Sequence, residues 1–95
     1  MEWTENGFLR YKANWKQGKG DGLWQYFHDN GRLSSEAFYR ADLAEGLYYE
    51  WHSNGQLKLK GIFRSNQKEG DWTYFLPNGE VEKVEVFENG KKVIQ

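Results

Sequence analysis

Cysteine is absent from this chain, which excludes disulfide staples, thiol nucleophiles and cysteine-ligated zinc together. Proline occurs once, at Pro77. No run approaches the roughly 18 apolar residues that a spanning helix needs. The opening Met1-Glu2-Trp3-Thr4-Glu5 has neither the basic nor the apolar region of a secretory leader, so the expectation is a soluble, cytoplasmic protein without a membrane span. An excess of charge is missing as well. Thirteen basic and 14 acidic residues are spread along the chain and leave a net −1, which argues against the basic footprint of a nucleic-acid binder. What the chain has in quantity is aromatic rings, 17 in 95 residues. One domain of this size hides a small fraction of its surface, and rings hide the most area per side chain.

The rings are periodic. Asn-Gly recurs at Asn6-Gly7, Asn30-Gly31, Asn54-Gly55 and Asn78-Gly79, 24 residues apart. Two residues after each glycine stands Leu9, Leu33, Leu57 or Val81, and eight after it Trp15, Tyr39, Phe63 or Phe87. Four before it stands Trp3, Phe27, Trp51 or Phe75, and a Gly-x-aromatic step opens three units at Trp24, Tyr48 and Trp72. Fixed offsets at such a period mark a repeat architecture, in which each unit buries its apolar side by stacking on its neighbours. The units run approximately 1–21 (partial), 22–45, 46–69 and 70–95, the last with a C-terminal capping strand.

Each unit reads as two strands bounded by turn residues, with no helical apolar spacing. The predicted fold is all-β: a single-layer antiparallel meander of repeated β-hairpins in an open, curved sheet. Pro77 precedes Asn78-Gly79 and lacks the N–H that a two-residue hairpin would need. A type I turn with Pro77 at its second position and Gly79 at a left-handed bulge fits instead, giving a three-residue loop. That loop sets Trp3 opposite Leu9, Phe27 opposite Leu33, Trp51 opposite Leu57 and Phe75 opposite Val81, each an aromatic against an aliphatic. Gly18, Asp42, Asn66 and Gly90 close the connections between units and tolerate φ > 0. With both turns of one kind, odd-numbered residues are expected on a structural face, Trp51 and Leu47 among them. Even-numbered ones, Trp24, Phe38, Tyr48, Ile62 and Trp72 included, are expected on the other.

Few residues suggest chemistry. His28 and His52 hold the same repeat position, but equivalent strands stand about 9 to 10 Å apart, too far to share an ion readily, so turn-flanking histidines and no metal are expected. Glu50 beside Glu36 could do general acid–base work, yet no phosphate loop, nucleophile elbow or second layer accompanies it, and no catalysis and no cofactor are expected. Lys16, Arg40 and Arg64 against Asp21, Glu45 and Glu69 read as solvated ion pairs. Glu80, Glu82, Glu85 and Glu88 concentrate acid in the last unit, where they could steer a basic partner. The even-numbered Trp24, Tyr26, Tyr48, Glu50, Trp72 and Tyr74 are the expected partner-binding set, because Trp and Tyr dominate interface hot spots.

The stretch Trp51-His52-Ser53-Asn54-Gly55-Gln56-Leu57, with Phe63 and then Gly70-Asp71-Trp72-Thr73-Tyr74-Phe75, resembles the second variant of the MORN-like repeat over nearly the whole chain. Small bacterial proteins of this variant look like the YwqK-type group, labelled as antitoxin or immunity proteins. The resemblance implies a β-hairpin repeat sheet, a protein partner such as a toxin encoded nearby, and no catalytic residue. It departs at the first unit, which lacks the Gly-x-Trp half, and at the last, where Val93-Ile94-Gln95 replaces it. Two other classes compete: a carbohydrate- or choline-binding repeat, and a structural module that forms homo-oligomers by edge-strand pairing.

Overall fold

The computed structural model describes residues 2–3 and 9–93, with side chains from Arg10 onward. Three full hairpins form its body: β5 (Gly22–Phe27) with β6 (Leu33–Arg40), β7 (Leu43–Trp51) with β8 (Leu57–Arg64), and β9 (Gln67–Phe75) with β10 (Val81–Glu88). Ahead of them lie β1 (Glu2–Trp3) and β2 (Leu9–Lys12), and behind them β11 (Lys91–Lys92). All nine pair antiparallel in the order β1-β2-β5-β6-β7-β8-β9-β10-β11. The short β3 (Trp15–Lys16) and β4 (Lys19–Gly20) pair only with each other. The all-β meander is therefore as expected. The nine strands make one continuous sheet, a single layer with extents of 46 × 38 × 14 Å. Among the described residues, no helix is long and apolar enough to cross a membrane.

The Asn-Gly loops have the three-residue form. Gly31 N donates to His28 O at 2.9 Å and His28 N to Arg32 O at 2.7 Å, with Gly31 at φ 86°. Gly79 and Leu76 repeat the pattern, and Pro77 takes the turn position where no N–H is required. The four aromatic–aliphatic pairs at the loop bases are all present. The first Asn-Gly, at Asn6-Gly7, lies outside the described residues.

The odd/even division of the faces does not hold. Immediately past each loop base, one extra residue sits in the returning strand: Phe27 pairs with Leu33, but Tyr26 pairs with Ser35. Trp51 and Glu50 pair likewise with Leu57 and Leu59. Such a bulge reverses the facing of everything beyond it. The turns between units also differ in kind from the loops. Arg40 pairs with Leu43 across two residues, Ala41 (φ 49°) and Asp42 (φ 72°), a type I′ turn, and Ser65-Asn66 repeats it. In consequence even positions of β5, β7 and β9 share a face with odd positions of β6, β8 and β10. Trp24 is opposite Ala37, and Ala37 opposite Tyr48. We call this the ring face, and the other the back face.

Units are tied at both rims by bonds that repeat with the period. At the loop rim, His28 Nε2 meets Trp51 O at 2.8 Å and His52 Nε2 meets Phe75 O at 2.9 Å; Asn30 and Asn54 Nδ2 donate to Ser53 and Pro77 carbonyls, each at 2.9 Å. At the turn rim, Asp42 N donates to Gly20 O and Asn66 N to Ala44 O. There too the acids expected as ion-pair partners face backbone instead. Glu45 accepts from Ser65 N at 2.6 Å, Glu69 from Asn89 N at 3.1 Å and Asp21 from Ala41 N at 3.5 Å. The turn residue with φ near 50° has an outward N–H that a carboxylate one strand back can reach.

Candidate functional site

The ring face is where the sheet packs on itself. Gly61 has no Cβ, and the Trp72 indole lies flat in the space: a Cβ on Gly61 would overlap it. Phe63 (4.9 Å between centroids), Tyr48 (5.7 Å) and Phe87 (6.2 Å) surround that indole, and its Nε1 donates to Ile62 O at 3.2 Å. The Lys68 ammonium caps it at 4.8 Å. Trp72 is thereby 1% exposed, the most deeply buried large side chain among the described residues. Two units earlier Trp24 holds the same pose, with Nε1 donating to Asn14 O at 3.0 Å and Tyr39 and Trp15 at 5.1 and 4.7 Å.

All six expected partner-binding residues do gather on this face, but they are unequally available. Trp72 is sealed in. Trp24 and Tyr48 are half-buried, Tyr48 donating its hydroxyl to Glu50 at 2.6 Å. Burial first, and then Glu50, drive the Tyr48 phenol far above its ordinary pKa. Tyr74 is pushed up to about 12 by burial and by its bond to Glu85. Glu85, held by Lys92 at 3.0 Å and by Tyr74, ionises below the usual carboxylate range. Tyr26, beside Tyr11 at 5.7 Å, is the open member of the set. These phenols are structural acids kept protonated. Glu50, expected among the partner-binding residues, is the acceptor for one of them.

The back face is different. Leu23 pairs with Phe38, Leu47 with Ile62 and Asp71 with Val86, which lines up one apolar row across β5 to β10. Phe38, Leu47 and Ile62 stand 43, 48 and 46% exposed, and among the described residues no second layer covers them. A parallel row of Gln25, Glu36, Tyr49, Lys60 and Thr73 borders it, with Gln25 donating to Glu36 at 3.2 Å. Between the rows is a hollow of about 400 Å³ lined by Leu47, Tyr49, Lys60, Ile62, Asp71 and Thr73. Reading by parity missed this row, because it scattered Leu23 and Leu47 to one face and Phe38 and Ile62 to the other. A usable signal was present: Leu23/Leu47 and Phe38/Ile62 each recur at the period next to a ring position.

The histidines are turn residues hydrogen-bonded to the next unit, and no group of three His, Cys, Asp or Glu that could hold a metal ion occurs among the described residues. A one-layer sheet stitched from identical hairpins, with one packed and one open apolar face, defines a repeat scaffold of the surface-binding class. A family model described as MORN repeat variant matches residues 20–41, 44–64 and 68–89, more than half of the chain. The chain belongs to this family, whose repeats are generally protein- or membrane-binding modules and typically not enzymes. No curated protein and no solved structure matches it.

Proposed function

We propose that this chain is a non-enzymatic protein-binding module whose back face docks an apolar patch of another protein, and that in the cell it acts as a cytoplasmic antitoxin or immunity protein, occluding a toxin one to one. The apolar row of Leu23, Phe38, Leu47 and Ile62 carries the reading. Contiguous exposed apolar surface of this kind marks interaction sites, and the charges of both signs beside it, Glu36, Lys60 and Asp71, can fix the register of a partner. The likeness to antitoxin-type proteins supports a toxin as the partner, and the acidic Glu80, Glu82, Glu85 and Glu88 favour a basic one. On the ring face Trp24, Tyr26, Tyr48, Glu50 and Tyr74 offer secondary contacts, whereas Trp72 is too buried to touch a partner.

The test is calorimetry against each protein encoded beside this gene, with rescue of growth on co-expression wherever that neighbour is toxic. Phe38→Asp and Ile62→Asp should each weaken binding by about 2 kcal/mol or more while leaving the melting temperature nearly unchanged. Parent-like binding by both variants would remove the back face from the interface. Light scattering on the same samples reads self-association, for which β10 provides an edge: among the described residues its cover is at Phe87 and Glu88, paired with β11, and at Val86, whose carbonyl accepts from Val93 N at 2.7 Å.

A further inference from the structure

Lys68 performs a task against the rings of the last unit that its counterpart Gly20 cannot perform against those of the second. Its ammonium lies 4.8 Å from the centroid of Trp72 and 4.8 Å from that of Phe87, a cation held between two π faces. Two periods back, Lys68, Trp72, Phe87 and Phe63 become Gly20, Trp24, Tyr39 and Trp15. The correspondence is one of geometry as well as number. Lys68 stands opposite Phe63 across the ladder, and Gly20 opposite Trp15. Both indoles donate to the carbonyl at the same repeat position, Ile62 or Asn14. The rings of the second unit therefore occupy the positions they hold in the last unit, with Tyr39 closer to the indole at 5.1 Å than Phe87 at 6.2 Å, while the residue that would bring the cation is a glycine.

The surroundings of the second-unit rings also favour positive charge. Asp42 stands where the last unit has Gly90, and its carboxylate is anchored on Gly20 N at 2.5 Å, beside the rings. The adjacent basic residues are Lys16 and Lys19, which pair with each other one step from Trp15 and Gly20, and Arg40, one step from Tyr39; strand alternation turns all three to the opposite face. Trp15 is 60% exposed and Trp24 and Tyr39 are half-buried, so the ring surfaces are reachable. Among the described residues no ammonium lies over any of the three. The middle unit is a poorer match: it has Tyr48 in place of the indole, stacked on Trp72, and a buried Ala44 at the lysine position.

We infer that Trp24, Tyr39 and Trp15, with Asp42, form a recognition site for an organic cation: an ammonium or guanidinium group. Two sources share that chemistry, a basic side chain of a protein and a free quaternary ammonium. The inference does not depend on the back face binding a protein, because small probes test it alone.

The experiment follows the five indole N–H signals by NMR while tetramethylammonium, Nα-acetyl-lysine methylamide and Nα-acetyl-arginine methylamide are added separately, with neopentanol as the uncharged control. Saturable shifts should appear at Trp24 and Trp15 and not at Trp72. The tighter of the quaternary and side-chain probes identifies the source. Gly20→Lys supplies a tethered cation and should abolish the response; Ala44 and Lys68 show that this position accepts a side chain, although the Trp24 ring, 3.0 Å from a Cβ there, must yield a few tenths of an ångström. Asp42→Asn should weaken binding about threefold or more without altering the rings. Lys68→Ala should open a second site, seen as a new saturable shift at Trp72. Equal shifts with neopentanol, no saturable shift at Trp24 with any cation, or a folded Gly20→Lys protein that still binds would each overturn the assignment.

Discussion

On the ring face Trp72 is enclosed by Tyr48, Phe63, Phe87 and the Lys68 ammonium, while one peptide plane away Ile62 and Leu47 face outward with nearly half their surface free. Both sets recur at the same period and both belong to strands of one sheet. What separates them is reach. An indole or phenyl ring extends far enough along the sheet to lie across a neighbouring Gly61 or Ala37 and touch the next ring, so a face of rings and small residues builds a core within one layer. Leu and Ile side chains stand roughly perpendicular to the sheet, so Leu47 and Ile62, though cross-strand neighbours, keep nearly half their surface free. A one-layer sheet can therefore be stable through one face and keep the other available.

The strongest challenge to this division is Trp72→Ala, which should cost about 3 to 5 kcal/mol in urea unfolding, or prevent folding, because it removes the ring that joins two units. Gly61→Ala attacks the same contact from beneath. Its new Cβ cannot coexist with the indole, and a loss of about 1 to 3 kcal/mol is expected. A third test is pH. Tyr48 and Tyr74 have folded pKa values above their ordinary 10.0, so the stability they lend is complete below pH 10 and should decline as pH rises toward 12. Glu85 has the opposite sign: its folded pKa lies below 4.5, so its contribution holds above pH 4.5 and fades on acidification. A melting-temperature profile flat from pH 9 to 12 would contradict the ring-face account. Glu45→Gln, which removes the charge from the acceptor of Ser65 N at the turn rim, should cost about 1 kcal/mol or less. Smallest of all, Ile62→Ser and Leu47→Ser should change stability by no more than about 0.5 kcal/mol. If either back-face change rivals Trp72→Ala, the faces are not distinct.

Much of the fold was legible from residue type at fixed offsets. Pro77 beside Asn78-Gly79 specified the loop, since proline's missing N–H admits few positions, and the loop specified the four base pairs. The division into faces was not legible. It depends on one bulged residue per hairpin, Ser34 in the second unit, and no side chain there announces it: a bulge is a backbone event that serine, lysine or glutamate tolerates equally well. From that single residue followed the misplacement of Leu23 and Leu47 and the choice of Trp72 as a contact residue. The acids Asp21, Glu45 and Glu69 looked like ion-pair partners for a related reason. Their backbone ligands, the N–H groups of Ala41, Ser65 and Asn89, exist only because the turn is type I′, which the side chains permit without requiring.

The rim bonds make the length of this protein a quantised variable. His28 and His52 meet the same carbonyl position in the unit that follows, and Glu45 and Glu69 the same amide, so every joint is interchangeable with every other. Excising residues 43–66 would place Gln67 directly after the Ala41-Asp42 turn, bring His28 to Phe75 O, leave Glu69 on Asn89 N, and yield a narrower sheet with its rim bonds matched. Removing one residue fewer would turn every later side chain to the wrong face. Duplication or loss of whole 24-residue blocks is thus the one kind of length change the molecule can absorb without redesign, and each block added would lengthen the open apolar row by two strands.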